Sequence, residues 1–301
     1  MKEMVTVIMN CFNGEDYLRE AIDSIYNQTY EHWKILFFDN DSTDSSAEIA
    51  KSYGEKLIYH HHDQNVPLGY ARNLALDKID TKYVSFLDCD DLYYPEKLQS
   101  QIIPMEKLDY GLSYGSAKLI DENGSEIRNL IAKNKSGYIF GNLLNHYEIN
   151  MQSVVMKTAL IRDQKLNFPT HYEYGPDYDL FMRLASKTKV LVISDLIVKT
   201  RLHKNSLSRK TYHRVHLELG ETLNKISEEC PDLKEKFSTQ FKNAYSKIKY
   251  YEAISLIHNG NLTGARHILK KIIFRRLEYA LLFILLYMPI SKTIILRLLN
   301  R

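Results

Sequence analysis

The sequence predicts an α/β fold built on a mostly parallel sheet, and two observations support this. In the first third of the chain, short apolar runs typical of buried strands alternate four times with segments of helical periodicity. Three of these runs end in polar residues. Ligands of such sheets bind beyond the carboxyl ends of the strands, so the sequence also predicts one ligand crevice at that edge.

The predicted elements follow one another in a regular order. Strands are expected at residues 4–9, 33–40, 56–61 and 83–88. Helices are expected from Tyr17 onward, at 46–54, at 69–79 and after Pro95. After residue 110 the pattern becomes mixed, with predicted strands at 111–121, 151–157 and 189–203 and a helix at 177–187. Alternation of this kind favours a sheet that helices cover on both faces.

The last part of the chain has a different composition. From about residue 206 it is rich in Lys, Glu and Leu and reads as helical, with two short helices predicted around an Asn-Gly-Asn turn in 250–273. The expected organisation is therefore an α/β domain over 1–205 and a helical region over 206–301.

The C-terminal end, 274–301, contains an apolar run at 279–290 that is shorter than the ~20 residues of a membrane-spanning helix. Basic residues flank this run: Lys270, Lys271, Arg275, Arg276, Lys292, Arg297 and Arg301. This pattern is typical of a helix that lies on an anionic membrane surface. A buried terminal helix or a dimer contact is the alternative, and periodicity does not separate these readings.

Composition narrows the class of protein. The chain has 301 residues and a net charge of +3, which is too small to indicate nucleic-acid binding. Its three cysteines, Cys11, Cys89 and Cys230, lack metal-type spacing and are expected to be free thiols, as in a reducing compartment. The first ten residues lack the features of a signal peptide. We therefore expect a cytoplasmic protein, which would act at the inner face of the cell membrane if its C-terminal end binds lipid.

One apolar run ends in three carboxylates, Asp88, Asp90 and Asp91. Carboxylates this close raise one another's pKa unless a cation lies among them. Side chains two positions apart at a turn can converge on Mg²⁺ or Mn²⁺, and Mg²⁺ takes one or two carboxylates together with substrate phosphates. The turn therefore predicts a metal site that bridges a diphosphate, with a solvated acidic turn as the alternative.

Five ordered segments together resemble the family-two glycosyltransferases with the GT-A fold. The matching segments are 5–49, 69–76, 83–98, 174–185 and 201–208. The resemblance implies a GT-A nucleotide-diphospho-sugar transferase fold, in which a Rossmann-like, mixed and mostly parallel sheet is flanked by helices. The helical C-terminal region lies outside the resemblance.

The resemblance also implies residue roles at the donor site. The loop that carries Asn10, Phe12 and Asn13 is expected to hold the nucleotide base and ribose together with Asp39, and Arg72 to approach the nucleotide or its phosphates. A helix N-terminal acid is the alternative role for Asp39, and an ion pair on a helix is the alternative for Arg72.

For the metal, the resemblance implies Asp88 and Asp90, with Asp90 favoured for direct coordination. His203 matches a residue that contacts the metal or the diphosphate. Asp91 is expected to cap the turn instead. The histidines at 60–62 end a strand, where side chains alternate between faces, and they are not expected to converge on a metal.

For catalysis, Asp177 matches the general base of an inverting transfer. Pro176 stands where the family usually has Glu, so Glu173 remains the alternative base if the loop is shifted. Asp179 is four residues before Arg183 and is expected to form an exposed structural pair with it on the same helix.

The predicted protein is thus an inverting, metal-dependent glycosyltransferase that uses Mg²⁺ or Mn²⁺. It would move a hexosyl or N-acetylhexosaminyl group from a nucleotide-diphosphate sugar, preferably UDP-linked, to a hydroxyl of a glycan or lipid-linked oligosaccharide. The resemblance implies a role in the synthesis of capsule, O-antigen or another surface polysaccharide. The alternatives are a sugar nucleotidyltransferase, which would need a basic, Gly-rich loop after the first strand, and a non-catalytic nucleotide- or glycan-binding assembly partner.

Overall fold

The computed structural model of the chain describes residues 4–203 and 212–288. The chain divides into two compact units, Met1–Leu143 with Tyr147–Ser206, and Leu144–His146 with Leu207–Arg301. The first unit is built on a mixed sheet, and the second is helical.

Nine strands are found among the described residues: β1 (Val5–Cys11), β2 (Trp33–Asp39), β3 (Leu57–His61), β4 (Tyr83–Phe86), β5 (Leu92–Tyr93), β6 (Leu112–Ile120), β7 (Glu126–Leu130), β8 (Val155–Lys157) and β9 (Val190–Arg201). The helices that accompany them are α1 (Glu15–Tyr26), α2 (Ser46–Lys51), α3 (Leu68–Leu76), α4 (Lys97–Lys107), α5 (Phe140–Asn145), α6 (Thr158–Asp163) and α7 (Pro176–Ala185).

The sheet has the strand order β3-β2-β1-β4-β8-β6-β9-β5, and β7 pairs with β6. The four strands from the N-terminal third, β3, β2, β1 and β4, are parallel neighbours. Strand β8 is antiparallel to both β4 and β6, while β9 is parallel to β6. The result is a mixed sheet with a parallel half, as the sequence predicts.

Burial explains why the parallel half forms. Successive residues of β1 and β4 are almost all buried, which requires cover on both faces of the sheet. Helix α1 contributes Leu18, Ala21, Ile22 and Ile25 to the main core cluster, and α4 contributes Leu98, Ile102 and Met105. Edge strand β7 is exposed throughout.

One predicted strand is only partly right. The segment 151–157 was expected to be extended, but Met151–Ser153 forms a 3₁₀ turn and only Val155–Lys157 is a strand. The turn begins where the Asn150 side chain accepts a hydrogen bond from the backbone N–H of Gln152, which is a capping contact. This turn becomes important at the functional site.

The second unit consists of helices α8 (Val215–Glu229), α9 (Pro231–Lys236), α10 (Ser238–His258), α11 (Leu262–Lys270) and α12 (Leu277–Leu285). The turn around Asn259 separates α10 from α11 as predicted, but α10 is 21 residues long and not a short helix. Helix α12 buries Tyr279 and Leu282 against the core of this unit. None of the helices in the described ranges combines the length and apolarity needed to cross a bilayer.

Candidate functional site

The candidate site lies at the carboxyl edge of the parallel strands. Cys11 at the end of β1 is paired in register with Asp39 at the end of β2, and Asp39 is paired with His61 of β3. The backbone N–H of Leu87, just after β4, donates to the carbonyl oxygen of Ile8. The loops that follow β1, β2 and β4 therefore leave the sheet at one edge.

The loops after β1 and β2 are joined by hydrogen bonds. The backbone N–H of Asn13 donates to Ser42 Oγ (3.1 Å), and Asn13 Oδ1 accepts from the backbone N–H of Thr43 (2.8 Å). The backbone N–H of Gly14 donates to Ser46 Oγ (2.9 Å). Asn13 has a positive φ of 53°, a conformation that asparagine tolerates better than most residues. Asn13 thus has a clear structural role in shaping this loop.

Asp39 is buried at 1% exposure, and both of its carboxylate oxygens accept hydrogen bonds. Tyr59 OH donates to Oδ2 (2.6 Å), and the backbone N–H of Ser42 donates to Oδ1 (2.9 Å). His61 Nδ1 lies 3.6 Å from Oδ2, whereas the rings of His60 and His62 contact Phe38. The three neighbouring histidines therefore do not converge.

Two other residues predicted to bind the nucleotide lie at the same edge. Phe12 is 49% exposed, so its ring is accessible to a ligand. Asn10 Nδ2 is buried and has no hydrogen-bond partner among the described residues. The backbone oxygen of Asn10 accepts a hydrogen bond from the Cys89 thiol (3.5 Å), which links the β1 end to the acidic turn.

Asp88 is held by two buried side chains. Arg72 Nη2 of α3 donates to Oδ1 (3.2 Å), and Gln152 Nε2 donates to Oδ2 (2.6 Å). Gln152 Oε1 also accepts from the backbone N–H of Asp88 (2.9 Å). Arg72 thus makes an ion pair between a helix and a strand end, and not a pair along one helix. The Asp88 side chain remains 36% exposed and can still accept from a ligand.

Asp90 and His203 are in direct contact. His203 Nε2 lies 2.8 Å from Asp90 Oδ2. Burial raises the pKa of the Asp90 carboxyl, the neighbouring Asp88 carboxylate raises it further, and the hydrogen bond with His203 opposes both effects. The structure thus brings Asp90 and His203 into contact, and Asp88 lies two residues before Asp90 in the same turn.

Asp91, the next residue, is buried at 3% exposure. Its Oδ1 accepts from the backbone N–H of Arg201 at the end of β9 (2.7 Å), so it joins two strand ends and does not simply cap the turn. The Arg201 side chain donates to the carbonyl oxygen of Asp90 (3.0 Å) and to Glu20 Oε2 (2.7 Å), and lies 4.4 Å from the centre of the Tyr17 ring.

Each of the three carboxylates therefore has a different basic neighbour, namely Arg72, His203 or Arg201. This arrangement shows that the three acidic side chains of the turn differ in their partners. Within the described ranges, no three His, Cys, Asp or Glu side chains form a group that could hold a metal ion by themselves.

Asp177 lies in the first turn of α7, directly after Pro176. Burial raises the pKa of its carboxyl; the Arg72 guanidinium opposes this shift, and the Asp88 carboxylate adds to it. Pro176, the residue before Asp177, lies close to Gly69 of α3, where an added Cβ would be 3.6 Å from Pro176 Cβ. The start of α7 is therefore beside the helix that carries Arg72. Glu173, the alternative base, is exposed.

The Asp179–Arg183 pair is present, but the prediction that it is exposed is wrong. Arg183 Nη1 donates to Asp179 Oδ2 (3.1 Å), and the two side chains are 9% and 1% exposed, respectively. In α7 almost every residue is buried, so no solvent-facing side exists to carry the pair.

We expect Asp179→Ala to destabilise the fold by about 3–5 kcal/mol, because it leaves the buried Arg183 guanidinium without its counter-ion. Glu252→Ala is the matched control, since it removes one partner of the more exposed helical pair Lys249–Glu252 (2.8 Å) and should cost only about 0.2–0.5 kcal/mol. Urea unfolding of both variants measures these costs. Equal losses would contradict the assignment of a buried pair.

Two residues at this site were not found by sequence reasoning. Arg201 opens the segment 201–208 that resembles the family, but no role was predicted for it. Gln152 lies inside a segment read as a strand and carries no motif. Neither the pattern nor the spacing signals their contacts with residues 88–91.

These observations agree with comparisons to known proteins. Residues 6–167 match the family model described as Glycosyl transferase family 2, which is more than half of the 301-residue chain. The chain therefore belongs to this family, as predicted.

Relatives carry related names. An uncharacterized glycosyltransferase of Rickettsia bellii is 30% identical over 199 residues, which cover 66% of this chain and 29% of that protein. The Escherichia coli protein named UDP-Glc:alpha-D-GlcNAc-diphosphoundecaprenol beta-1,3-glucosyltransferase WfgD is 28% identical over 214 residues, covering 69% of this chain and 81% of that protein. The chain spans only 29–64% of the length of the Rickettsia relatives.

A solved structure supports the fold. The mannosyltransferase PcManGT from Pyrobaculum calidifontis, in complex with GDP-Man and Mn²⁺, superposes with a TM-score of 0.63 at 17% identity and covers 94% of this chain and 79% of that one. The fold is thus the predicted GT-A fold with a helical C-terminal region.

Proposed function

We propose that the protein is an inverting, metal-dependent glycosyltransferase that moves a sugar from a nucleotide-diphosphate sugar to an acceptor hydroxyl. The observation that carries this proposal is the acidic turn at the carboxyl edge of the sheet, where Arg72 pairs with Asp88 and His203 contacts Asp90. Helix α7, which has Asp177 in its first turn, begins beside the helix that carries Arg72. We assign the transfer to residues 1–205.

UDP is the donor nucleotide that we propose. The name of the E. coli relative contains UDP-Glc, whereas the Pyrobaculum structure contains GDP-Man, so the family fold itself does not select the nucleotide. Asn10 and Asp39 would bind the base and ribose through Asn10 Nδ2, which has no hydrogen-bond partner within the described part of the chain, and through the remaining lone pairs of the Asp39 carboxylate. Phe12 offers an exposed ring against which the base can pack.

Asp90 would hold Mg²⁺ or Mn²⁺, with Asp88 and His203 beside it. The negative charge of Asp88 raises the pKa of the Asp90 carboxyl. A cation near both carboxylates would remove this repulsion. A metal bound there would supply positive charge to offset the negative charge of the departing diphosphate. Oxygen ligands from one or two carboxylates and from phosphates are those that Mg²⁺ prefers.

Asp177 would act as the general base. It accepts the proton of the acceptor hydroxyl while the hydroxyl oxygen forms a bond to the anomeric carbon and the bond to the diphosphate oxygen breaks. Attack opposite the leaving group inverts the anomeric centre. The raised pKa of Asp177 favours proton uptake from the acceptor, since it makes the carboxylate a stronger base.

A glycan or a lipid-linked oligosaccharide is the acceptor class that we propose. The name of the E. coli relative contains a diphosphoundecaprenol-linked sugar as the acceptor. Synthesis of a surface polysaccharide would be consistent with such an acceptor.

The decisive experiment is a thermal-shift and product assay with UDP-sugars and Mn²⁺. We expect Mn²⁺-dependent stabilisation by UDP-sugars, by ~2.7 kcal/mol at 100 times the Kd, and slow metal-dependent release of UDP without acceptor. Stabilisation by UDP-sugars without any UDP release would favour the non-catalytic nucleotide-binding protein. Pyrophosphate release from UTP and a sugar phosphate would favour the nucleotidyltransferase.

We also propose that α12 and the residues around it dock on an anionic membrane. Leu277, Leu281 and Ile284 of α12 are 52–77% exposed and follow one another at steps of four and three residues, which places them on one side of the helix. Phe274 before the helix and Met288 after it are also exposed, at 97% and 48%. The opposite side of α12 is buried, so this segment is both core and surface.

Charge supports an anionic partner. Exposed basic residues precede the apolar side: Lys270, Lys271, Arg275 and Arg276. The further basic residues Lys292, Arg297 and Arg301 lie outside the described residues. An apolar stripe beside clustered Lys and Arg is typical of helices that lie in the interface of anionic bilayers.

Replacing Leu277, Leu281 and Ile284 together by Glu should reduce binding to phosphatidylglycerol-containing vesicles at least tenfold in a flotation assay, because buried apolar area and charge attraction are both lost. Ile127→Glu with Leu130→Glu on exposed strand β7 is the control, at 49% and 39% exposure, and should leave vesicle binding unchanged. These substitutions are cleaner than deletion of 274–301, which would also remove buried core residues. Unchanged vesicle binding with a lost dimer would instead indicate a dimer contact.

A further inference from the structure

The 3₁₀ turn Met151–Ser153 lies directly against the acidic turn and presents one side chain to it. Gln152 is 4% exposed. The turn is fixed by Asn150, whose Oδ1 accepts from the backbone N–H of Gln152 (3.0 Å) and whose Nδ2 donates to Thr200 Oγ1 of β9 (3.2 Å). A capped, buried turn of this kind leaves the Gln152 side chain little freedom.

The contacts of Gln152 require an amide. Its Oε1 accepts from the backbone N–H of Asp88 (2.9 Å), and its Nε2 donates to Asp88 Oδ2 (2.6 Å). An amide end group carries both an acceptor and a donor, whereas an ionised Glu has acceptors alone and would add a negative charge beside Asp88. The two contacts hold the backbone and the carboxylate of the same residue.

These contacts fix the plane of the Asp88 carboxylate. Arg72 Nη2 donates to Asp88 Oδ1 (3.2 Å) and Gln152 Nε2 donates to Asp88 Oδ2, so each carboxylate oxygen has a defined partner. Asn150 also donates to Thr200, the residue before Arg201. Arg201 in turn donates to the Asp91 carboxylate through its backbone N–H and to the carbonyl oxygen of Asp90 through its side chain. The 3₁₀ turn is thus linked to Asp88 directly and to Asp90 and Asp91 through the end of β9.

We infer that Gln152 is a positioning residue that orients Asp88 for a divalent cation bound together with a nucleoside diphosphate. This inference rests on the proposed function of the same site. Side chains that orient metal-binding carboxylates without touching the metal typically change metal affinity or activity ~10–100-fold when they are replaced. In this role Gln152 acts through its hydrogen bonds to Asp88 and does not need to contact the donor itself.

The test compares Gln152→Met with Gln28→Met in the full chain. Gln28 is also a buried glutamine, at 7% exposure, whose amide donates to the carbonyl oxygens of Ser24 and Tyr94 and accepts from the backbone N–H of Leu98. It makes no contact with the acidic turn in these hydrogen bonds. Comparing the two variants therefore separates the effect of losing a buried amide from the effect of losing the hydrogen bonds to Asp88.

Isothermal titration with UDP, with and without Mn²⁺, is the readout, together with thermal unfolding. We expect Gln152→Met to weaken Mn²⁺-dependent UDP binding ~10–100-fold while leaving metal-free UDP binding nearly unchanged. Gln28→Met should lose melting temperature but keep the wild-type Mn²⁺ dependence. Gln152→Asn, which retains the amide but is one methylene shorter, should weaken binding in the same direction and serves if the Met variant does not fold.

The outcomes separate this inference from the proposed function. Wild-type Mn²⁺-dependent affinity in both Gln152 variants overturns the inference alone. Equal losses of Mn²⁺-dependent affinity in the Gln152 and Gln28 variants also overturn it, because they would indicate a general packing effect. No Mn²⁺-dependent UDP binding by the wild-type protein overturns the proposed function, and the inference with it.

Discussion

Asp90→Ala is expected to abolish Mn²⁺-dependent UDP binding and to lower the transfer rate by about 10²–10⁴-fold. The physical reason is that a metal at a departing diphosphate contributes several kcal/mol of charge stabilisation, and each 1.36 kcal/mol is about tenfold in rate. Asp88 cannot take the place of Asp90, because Arg72 and Gln152 hold its carboxylate in its own position. Calorimetry with UDP and Mn²⁺ measures the binding loss, and a product assay measures the rate.

Asp91→Asn is the matched control for this loss. Asp91 belongs to the same turn, but its carboxylate accepts from the backbone N–H of Arg201, and an amide oxygen can do the same. Burial, together with the charges of Asp90 and Asp88, raises the pKa of Asp91, so a neutral side chain fits this position. The variant should fold and bind Mn²⁺–UDP like the wild type. If Asp90→Ala also retains wild-type affinity, Asp90 is not the metal ligand.

Local patterns were sufficient for the parallel half of the sheet. Each of the four N-terminal strands was predicted within a few residues because its apolar run is short, continuous and bounded by turn-forming residues. The same reasoning was wrong at 151–153. There an apolar-looking run contains a turn, because the Asn150 cap and the contact of Gln152 with Asp88 stabilise it.

The sequence predicts the carboxylates of the candidate site but not the side chains that contact them. The carboxylates themselves are adjacent in sequence, and their position at a strand end follows from topology. Their partners are not local: Arg72 is 16 residues from Asp88, Gln152 is 64 residues away, and Arg201 is 110 residues from Asp91. No periodicity or propensity encodes contacts at such separations.

The misjudged exposure of Asp179 has a similar cause. The periodicity of α7 suggests one apolar side made by Leu180, Phe181 and Leu184, which would leave Asp179 in solvent. In the fold both sides of this helix are covered, so Asp179 and Arg183 are buried together. Periodicity describes the helix alone, whereas burial depends on what the rest of the chain places around it.

Asp177→Asn is expected to reduce the transfer rate by about 10²–10⁴-fold while changing the Kd for the donor little. The substitution keeps the shape of the side chain but removes its ability to accept a proton, and general-base help is worth about this factor. The donor contacts that we propose involve Asn10, Asp39 and Asp90 instead, so binding should persist. Single-turnover rates and calorimetry on the same variant separate the two quantities.

The pH dependence gives a second test of Asp177. Burial and the Asp88 carboxylate raise its pKa, and a base is active only when it has lost its proton. The rate should therefore fall as the pH decreases through this raised pKa, at a higher pH than an ordinary aspartate would give. Glu173→Gln is the control: Glu173 is exposed, and its loss should leave both the rate and the pH profile unchanged. If Glu173→Gln removes the fall in rate at low pH while Asp177→Asn keeps it, Glu173 is the base and the match of segment 174–185 to the family is displaced. If neither variant affects turnover, the inverting mechanism itself has to be abandoned.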